Sequence, residues 1–547
     1  MPEYALTPND VRQTLFWLLE LTWASRAFRF ATDAVNILDE DSNTLVYTGG
    51  LSIQFTESMS LFNPAPATPR LSITNLLFPV DVAELIETGH PFVQVSVELS
   101  QHVEGDAFER RKVRFRGRMR LTDYDAVGTP VAFSVEAERR GRAVLIPDAD
   151  AEVTTTTWPD ADDITLGDFV PFVIGKPGHN KSSVGGIQYT GGSPAVTIDD
   201  VNDFLAICEG LIAATNVVII DTDAQARTTN NPVTHRVDAL GRTFATIDMD
   251  PASTQATYIA GNKYQVDWSS DSGSADAGGG IVNPFNTGVL RGAGDVIRWA
   301  YDLSGVPFDT GRWAAVADIL NAFLIDTYID SATDLPRWLE KHVFPLLPLA
   351  AVLQGPNGVY PVLWTRNVKS TEVVANIDVE RDGLSPTGPV RYEGGQFGNE
   401  LRIKYAPRGD NGRSSRSRTV TGRDVGADTS IVQPFQILRS SQLQYERKAR
   451  KTITTKVIRD NGTALRILSW QAAAYAFPWR FVSYRQESAS LGWLRPGHPV
   501  TLTHDHTDYN RHLTNRVCWV SAVEWNNTTP TYTFVLIDSP ARDTRPT

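Results

Sequence analysis

Cysteine is almost missing from this 547-residue chain; only Cys208 and Cys518 are present. Two thiols cannot build a disulfide framework, an all-cysteine zinc site or a four-cysteine iron–sulfur centre, and leave room for one bridge at most. Long hydrophobic runs are missing as well. The longest near the N-terminus, LFWLLELTW, falls far short of the roughly 20 residues that cross a bilayer as a helix. The opening MPEYALTPND is acidic and polar, so no signal peptide is expected there. Positive charge is in deficit, with 51 Lys and Arg against 63 Asp and Glu. The resulting net charge of −12 argues against a nucleic-acid binder built over the whole molecule. There is no G-x-S-x-G elbow, no H-E-x-x-H, no internal repeat and no heptad pattern.

What is present is apolar surface in quantity. Hydrophobic residues make up 41% of the chain, enough for the roughly three or four domains its length calls for. Thr7, Pro8 and Asp10 fit the cap, first turn and capping box of a short opening helix. Five runs then alternate apolar and polar residues: LSIQF (51–55), LSITNLLF (71–78), FVQVSVEL (92–99), KVRFRGRMRL (112–121) and AFSVEAE (132–138). They predict an antiparallel sheet or barrel with one wet face. The acidic, threonine-rich DADAEVTTTTWPDADD (148–163) reads as a solvated domain boundary. Beyond it, TIDDVNDFLAICEGLIAAT (197–215) spaces Val201, Phe204, Cys208 and Leu211 as one face of an amphipathic helix, which puts Cys208 in a core. DWSSDSGSADAGGG (267–280) has the composition of a flexible loop. Helices concentrate in 294–344, in three segments each opened by an Asp that can cap. Strands return from 345, among them YPVLW (360–364) after the turn GPNG, and DNGTALRILSWQAAAYA (460–476) predicts one further helix. The expected fold is mainly β, with several antiparallel barrels or sandwiches and a small helical insertion. The expected divisions are 1–150, 164–285, 286–346 and 347–547.

One loop imitates a nucleotide site. In VIGKPGHNKSS (173–183) a strand-like run feeds Gly175, Gly178, Lys181 and Ser182, close to a phosphate-binding loop. That loop needs a glycine before its lysine and a helix after it, whose N-terminal amides hold the phosphates. Here Asn180 precedes Lys181, Pro177 lacks an amide hydrogen, and the glycine-rich SVGGIQYTGG follows. The stretch is expected to be a turn leaving a strand, with no nucleotide.

His498, His504, His506 and His512 crowd into 497–512, and His504 and His506 would share one strand face, as a metal pair does. Asp505 and Asp508 could add carboxylates, although a polar hairpin tip accounts for them more simply. The acidic runs at 148–163 lack the glycine of a known calcium loop. Cys518, in NRVCWVSAVEW, reads as a small core residue. No catalytic residue and no cofactor is expected, although carboxylate pairs for glycan hydrolysis come from distant strands and leave no local signature. On the 112–121 strand, Lys112, Arg114, Arg116, Arg118 and Arg120 share one face. Like charges at that spacing need an answer, and Glu136 and Glu138 on the next strand are the natural cross-strand partners. An acidic protein partner is the rival account. A second basic stretch runs from Arg402 to Arg459 and includes Arg413, Arg416 and Arg418. Opposite charges on one polypeptide suit docking to a neighbour.

The C-terminal third carries a family resemblance. It reads FGNELRIKYAPRGDNGRSSRSR (397–418), then QYERKARKTITTKVIRDNGTALRILSWQAAAYAFPWRFVSY (444–484), GWLRPGHPVTLTH (492–504) and WVSAVEWNNTTPTYTFVLI (519–537). This order of charged strand, helix, strand, W-L-x-P-G turn and two closing strands resembles the baseplate or tail-tip hub of tailed bacteriophages. LGDFVPFVIGKPG (166–178) and the helical segment from DVIRWAYDLSG to GPNGVYPVLW are similar too, as is the β-rich N-terminal region. The resemblance implies a non-enzymatic virion protein, made in the host cytoplasm and placed at the distal end of the tail. It implies a homotrimeric ring that closes the tail tube, meets the distal tail protein, tape-measure protein and tip or fibre proteins, and touches DNA in its bore during ejection. The alternative is a tail-associated protein that binds or degrades host polysaccharide.

Overall fold

The computed structural model describes residues 15–58, 70–76, 78, 88–89, 95–123, 131–137, 144–182, 188–190, 192–223, 226–249, 259, 261–268, 278–355, 357–364, 368–393, 397–407, 414–421, 432–446, 449–487, 490–506, 511–526 and 531–538. The expected opening helix, the Ser269–Ala277 part of the Gly/Ser loop and Arg413 lie outside them.

All five alternating runs are strands: Ser52–Ser58, Arg70–Leu76, Ser96–Val103, Lys112–Asp123 and Val131–Ala137. LFWLLELTW is a strand as well, Leu15–Trp23. It does not alternate because both of its faces are covered. Trp17, Leu19 and Leu21 enter the main core, while Phe16 and Leu18 lie with Ile37 and Tyr47 of the Val35–Leu38 and Thr44–Tyr47 hairpin. The antiparallel order is Arg26–Ala31, Leu15–Trp23, Ser96–Val103, Lys112–Asp123, Val131–Ala137, Arg70–Leu76, Ser52–Ser58.

The sheet does not stop there. Ser52–Ser58 pairs with the far end of the chain, Gln54 opposite Asn526 and Ser58 opposite Ala522. The Arg511–Asn526 strand is thereby a spine. Its first half pairs with Pro499–His506, its second half with Ser52–Ser58, and its other edge with Thr531–Asp538. Trp479–Gln486 follows, carrying Leu384–Pro386, while Ala375–Asp378 runs parallel to Pro499–His506. One core serves both ends of the chain and includes Trp17, Phe55, Phe115, Met119, Val500, Cys518, Val520 and Phe534.

The middle of the chain builds a second sheet in the order Ala226–Pro232, Asn216–Asp221, Tyr264–Asp267, Ser193–Asp199, Phe204–Glu209, Thr243–Asp248, Thr234–Val237. Its two outermost strands are separated only by Val233, so the sheet comes close to closing on itself. The helix expected over 197–215 is therefore a β-hairpin. The Asp199 carboxylate takes the Val201 and Asn202 amides, which folds a turn, and Asp203 holds a positive φ of 58°. Val201 and Leu211 are exposed, whereas Cys208 is buried as expected, on a strand. Nor is 148–163 a solvated linker. Ala151, Val153 and Trp158 pack on Val196, Phe204 and Phe244, and Asp148 and Asp162 cap short 3-10 turns.

Helices occupy Ala293–Leu303, Thr310–Asn321 and Leu335–Trp338. Of the three expected Asp caps only Asp309 acts as one, accepting from the Arg312 amide. Asp295 instead accepts from the side chains of Asn283 and Asn286. Further on, the Val432–Tyr445 and Asn461–Tyr475 helices cover one face of a three-stranded sheet, Ser414–Thr421, Glu400–Pro407, Arg450–Thr454. Asp460 caps the second helix through the Thr463 amide. Among the described residues, no helix is long and apolar enough to cross a membrane. Both cysteines are free and buried.

Candidate functional site

The Lys112–Asp123 strand buries Val113, Phe115 and Met119, as its alternation predicts. Its basic face is not uniformly outward. Arg114 is only 1% exposed and lies inside a polar clasp. Its Nη2 donates to Glu57 Oε2 at 3.2 Å and to the Leu494 carbonyl at 3.1 Å, and its Nη1 donates to Gln101 Oε1 and the Gly492 carbonyl. Arg495 grips the same carboxylate from the other side. Its Nη2 donates to Glu57 Oε1 and its Nε to Oε2, while Nη1 reaches the Gln354 carbonyl and the Tyr360 hydroxyl. One buried carboxylate thus faces two buried guanidiniums, and the Gly492, Leu494 and Gln354 carbonyls accept further donors alongside the Gln101 and Tyr360 side chains.

Burial is the main cause that pulls the Arg114 pKa below its ordinary value; Glu57 opposes it and Arg495 adds to it. His498 completes the site, its Nδ1 accepting from the Arg495 amide at 3.1 Å. Burial, followed by the charges of Arg495, Arg114, Lys112 and Arg312, pushes the imidazole pKa down to about 3. The ring is therefore a neutral acceptor at neutral pH. Five parts of the chain meet here: the Ser52–Ser58, Ser96–Val103 and Lys112–Asp123 strands, the 491–498 turn, and the hairpin of Leu349–Gly355 and Gly358–Leu363.

Arg114 thereby leaves the set of surface candidates, because the fold seals it from any partner. Arg116 is half-buried, with Nε donating to Glu98 Oε2 at 2.9 Å, and Arg111 shares that carboxylate. Arg118 is exposed and stands opposite Glu136 in the strand register, the cross-strand placement the sequence suggested. Lys112 lies over the Trp493 ring. The Arg120 side chain is outside the described residues. Glu57, Glu98 and Arg495 were not foreseen, since no local spacing links them to this strand. The W-L-x-P-G turn, which contains Arg495, was the one available signal.

The second basic stretch forms the three-stranded sheet. Arg416 is exposed, and Arg418 Nη1 donates to Asn461 Oδ1 at 3.2 Å, an oxygen that also accepts from the Tyr405 hydroxyl. By register both arginines share the helix-covered side with Tyr405 and Ile403. The opposite side presents Arg402, Lys404, Ser417, Thr419, Arg450, Thr452 and Thr454.

The GKPG loop is a packed turn. Gly175 has φ 72°, and a Cβ there would lie 2.1 Å from the Ile325 carbonyl oxygen. The Lys176 amide, which a phosphate would require, donates to Asp326 Oδ1 at 2.8 Å, and Arg291 holds both oxygens of that carboxylate. The chain continues into a strand, His179–Ser182, which holds Lys181 and Ser182 where a phosphate loop would begin its helix. His504 is buried, its Nδ1 2.8 Å from the Tyr484 hydroxyl, bridging two strands that are not neighbours in the sheet. The side chains of His506, His512, Asp505 and Asp508 lie outside the described residues. Among those described, no group of three or more His, Cys, Asp or Glu side chains is placed to hold a metal.

No protein-family model matches the chain, and no curated protein does. Solved structures with a similar chain path include a tail protein from Neisseria meningitidis MC58, at 8% identity and TM-score 0.36, covering 96% of this chain and 97% of that one. The 43 kDa tail protein of prophage MuSo2 from Shewanella oneidensis has 10% identity and TM-score 0.32, covering 96% and 100%. A chain of the native gene transfer agent virion has 10% identity and TM-score 0.39, covering 73% and 90%.

Proposed function

We propose that this chain is a structural protein of a phage tail, acting as the hub at the tail tip or baseplate. The observation that carries the reading is the folded order of residues 397–538. The charged hairpin Glu400–Pro407 and Ser414–Thr421, the Asn461–Tyr475 helix, the Trp479–Gln486 strand, the 491–498 turn and two closing strands follow one another as in the hub proteins that the sequence resembles. The clasp gives that turn a physical task, because Arg495 ties it to strands from the opposite end of the chain. In this reading the protein forms a homotrimeric ring that closes the tail tube. It binds the distal tail protein and the tube or tape-measure protein on one side and tip, spike or fibre proteins on the other. DNA passes through its bore on ejection, and no chemistry is performed.

Light scattering on the purified chain tests the reading. Three copies of a 60.3 kDa chain should elute as one species of about 180 kDa with three-fold particles in images. A monomer that stays monomeric with purified tail rings would sink the hub reading, and binding in a glycan screen would then favour the polysaccharide alternative.

A further inference from the structure

Among the described residues, the three-stranded sheet of Ser414–Thr421, Glu400–Pro407 and Arg450–Thr454 has helices on one side only. Leu401, Ile403 and Tyr405 pack with Leu438, Ala464 and Ile467 of the two helices. On the other side Ser417, Thr419, Arg450, Thr452 and Thr454 are exposed, and Arg402 and Lys404 are half-buried at the centre. The buried Glu400 answers Arg450. Apart from Glu400, the described residues of this side are cations and hydroxyls, and none of them is an aromatic or aliphatic anchor of the kind that drives apolar docking. Whatever meets it is selected by charge.

Charge is also what the rest of the chain supplies. Residues 400–459 hold 14 Lys and Arg against five Asp and Glu, a net +9, so the remainder of the chain stands at −21. A concentrated part of that negative charge lies at one end of the middle sheet. Asp160, Asp200 and Asp223 are exposed there, with Asp203 and Asp248 half-buried beside them. The Asp200 amide donates to the Asp160 carbonyl, Asp248 stands opposite Phe204 in register, and Asp203 and Asp223 both act on the Tyr264 hydroxyl.

We propose that the open sheet face docks on this acidic end of the middle sheet in a second copy of the same chain. The contact joins two different surfaces, so it is head-to-tail and can propagate around a ring. It deepens the assembly reading above and rests on it. Pairs of this kind govern partner choice and encounter rate more than raw affinity, and salt screens them over roughly 10 Å at 0.1 M.

A charge-swap experiment on the full chain tests the proposal. Sedimentation velocity at about 50 mM and about 500 mM NaCl should show self-association weakening at least about tenfold at high salt. Arg402→Glu with Lys404→Glu should abolish self-association, and so should Asp200→Lys with Asp223→Lys. Mixing these two variants should restore association, because each contact between unlike variants is again between opposite charges; a closed ring of three would keep one like-charge contact, so the mixture should give heterodimers and alternating even-numbered chains. Circular dichroism checks that each variant is folded; where one is not, Arg402→Ser with Lys404→Thr replaces the first reversal and Asp200→Asn with Asp223→Asn the second. Wild-type assembly that survives both reversals overturns the docking face and leaves the hub reading intact. Folded variants that stay apart when mixed overturn it as well. A wild type that is monomeric alone and with tail rings removes both. Loss of duplex DNA binding in the Arg402/Lys404 variant with self-association unchanged would assign the face to nucleic acid instead.

Discussion

Glu57 holds two guanidiniums with a single carboxylate, and this stoichiometry sets what its loss does. Glu57→Gln keeps the shape and some hydrogen bonding but leaves Arg114 and Arg495 buried without a counter-charge. Removing one partner of a buried ion pair costs about 3–5 kcal/mol, so the urea midpoint should fall steeply. Arg118→Gln, on an exposed site of the same strand, should change stability by less than about 0.5 kcal/mol. Reversing Arg114, Arg116 and Arg118 together would break the clasp before it tested any docking, so the exposed Arg118 alone is informative about partners. His498 adds a pH dependence. The folded chain keeps this ring neutral down to about pH 3, whereas the unfolded imidazole takes a proton near its ordinary value of 6.5. Between those limits the unfolded state binds more protons. The loss is therefore nil above about pH 6.5 and grows by about 1.4 kcal/mol per pH unit as pH falls toward 3. His498→Asn, which retains an acceptor for the Arg495 amide, should flatten that acid limb in pH-dependent denaturation. An unchanged slope would assign the limb to other groups.

At the scale of elements, legibility followed the range of the forces that decide each one. The five alternating strands and the Asn461–Tyr475 helix could be read because period and cap are local: Val113, Phe115 and Met119 alternate inward, and Asp460 sits where a cap must. The 197–215 segment misled because its helical spacing of Val201, Phe204, Cys208 and Leu211 was compatible with a helix, while the deciding chemistry was the turn that Asp199 builds. A strand buried on both faces, Phe204–Glu209, shows no alternation to correct that impression. The two assignments differ in a measurable way. On a buried helical face Val201→Asp would be ruinous; in the turn, where Val201 is 77% exposed, it should shift stability by less than about 0.5 kcal/mol. Leu205→Ala, in the sealed core of the middle sheet, should cost about 2–5 kcal/mol. Thermal denaturation of both variants settles the comparison, and a large loss at Val201 would contradict the hairpin. The basic strand was half legible for a related reason. Its alternation was visible, but Arg114's partners come from Ser52–Ser58 and the 491–498 turn, and no pattern within the strand points to them.

Over the whole molecule, the ends of the chain are one sheet. Glu57 and Arg495 are 438 residues apart in sequence, yet they share hydrogen bonds, and Ser52–Ser58 completes its ladder only through Ala522–Asn526. Contacts of such separation leave no trace in local sequence, and they mean that the N-terminal strands depend on the last part of the chain to fold. The middle sheet has a separate core of its own, built on Leu205, Ile207, Val217, Ile247 and Val266. Cooperative units follow contiguous cores more closely than chain order. Native-state hydrogen exchange should therefore group the amides of Ser52–Ser58 with those of Ala522–Asn526, while the Phe204–Glu209 and Thr243–Asp248 strands exchange as a different unit. Glu57→Gln should accelerate the first group at both ends together and leave protection in the second unchanged. If the 52–58 amides sped up while the 522–526 amides kept their protection, the clasp would not be what joins the two ends. If all the strands responded alike, the two cores would unfold as a single unit, and the clasp would govern the stability of the entire chain.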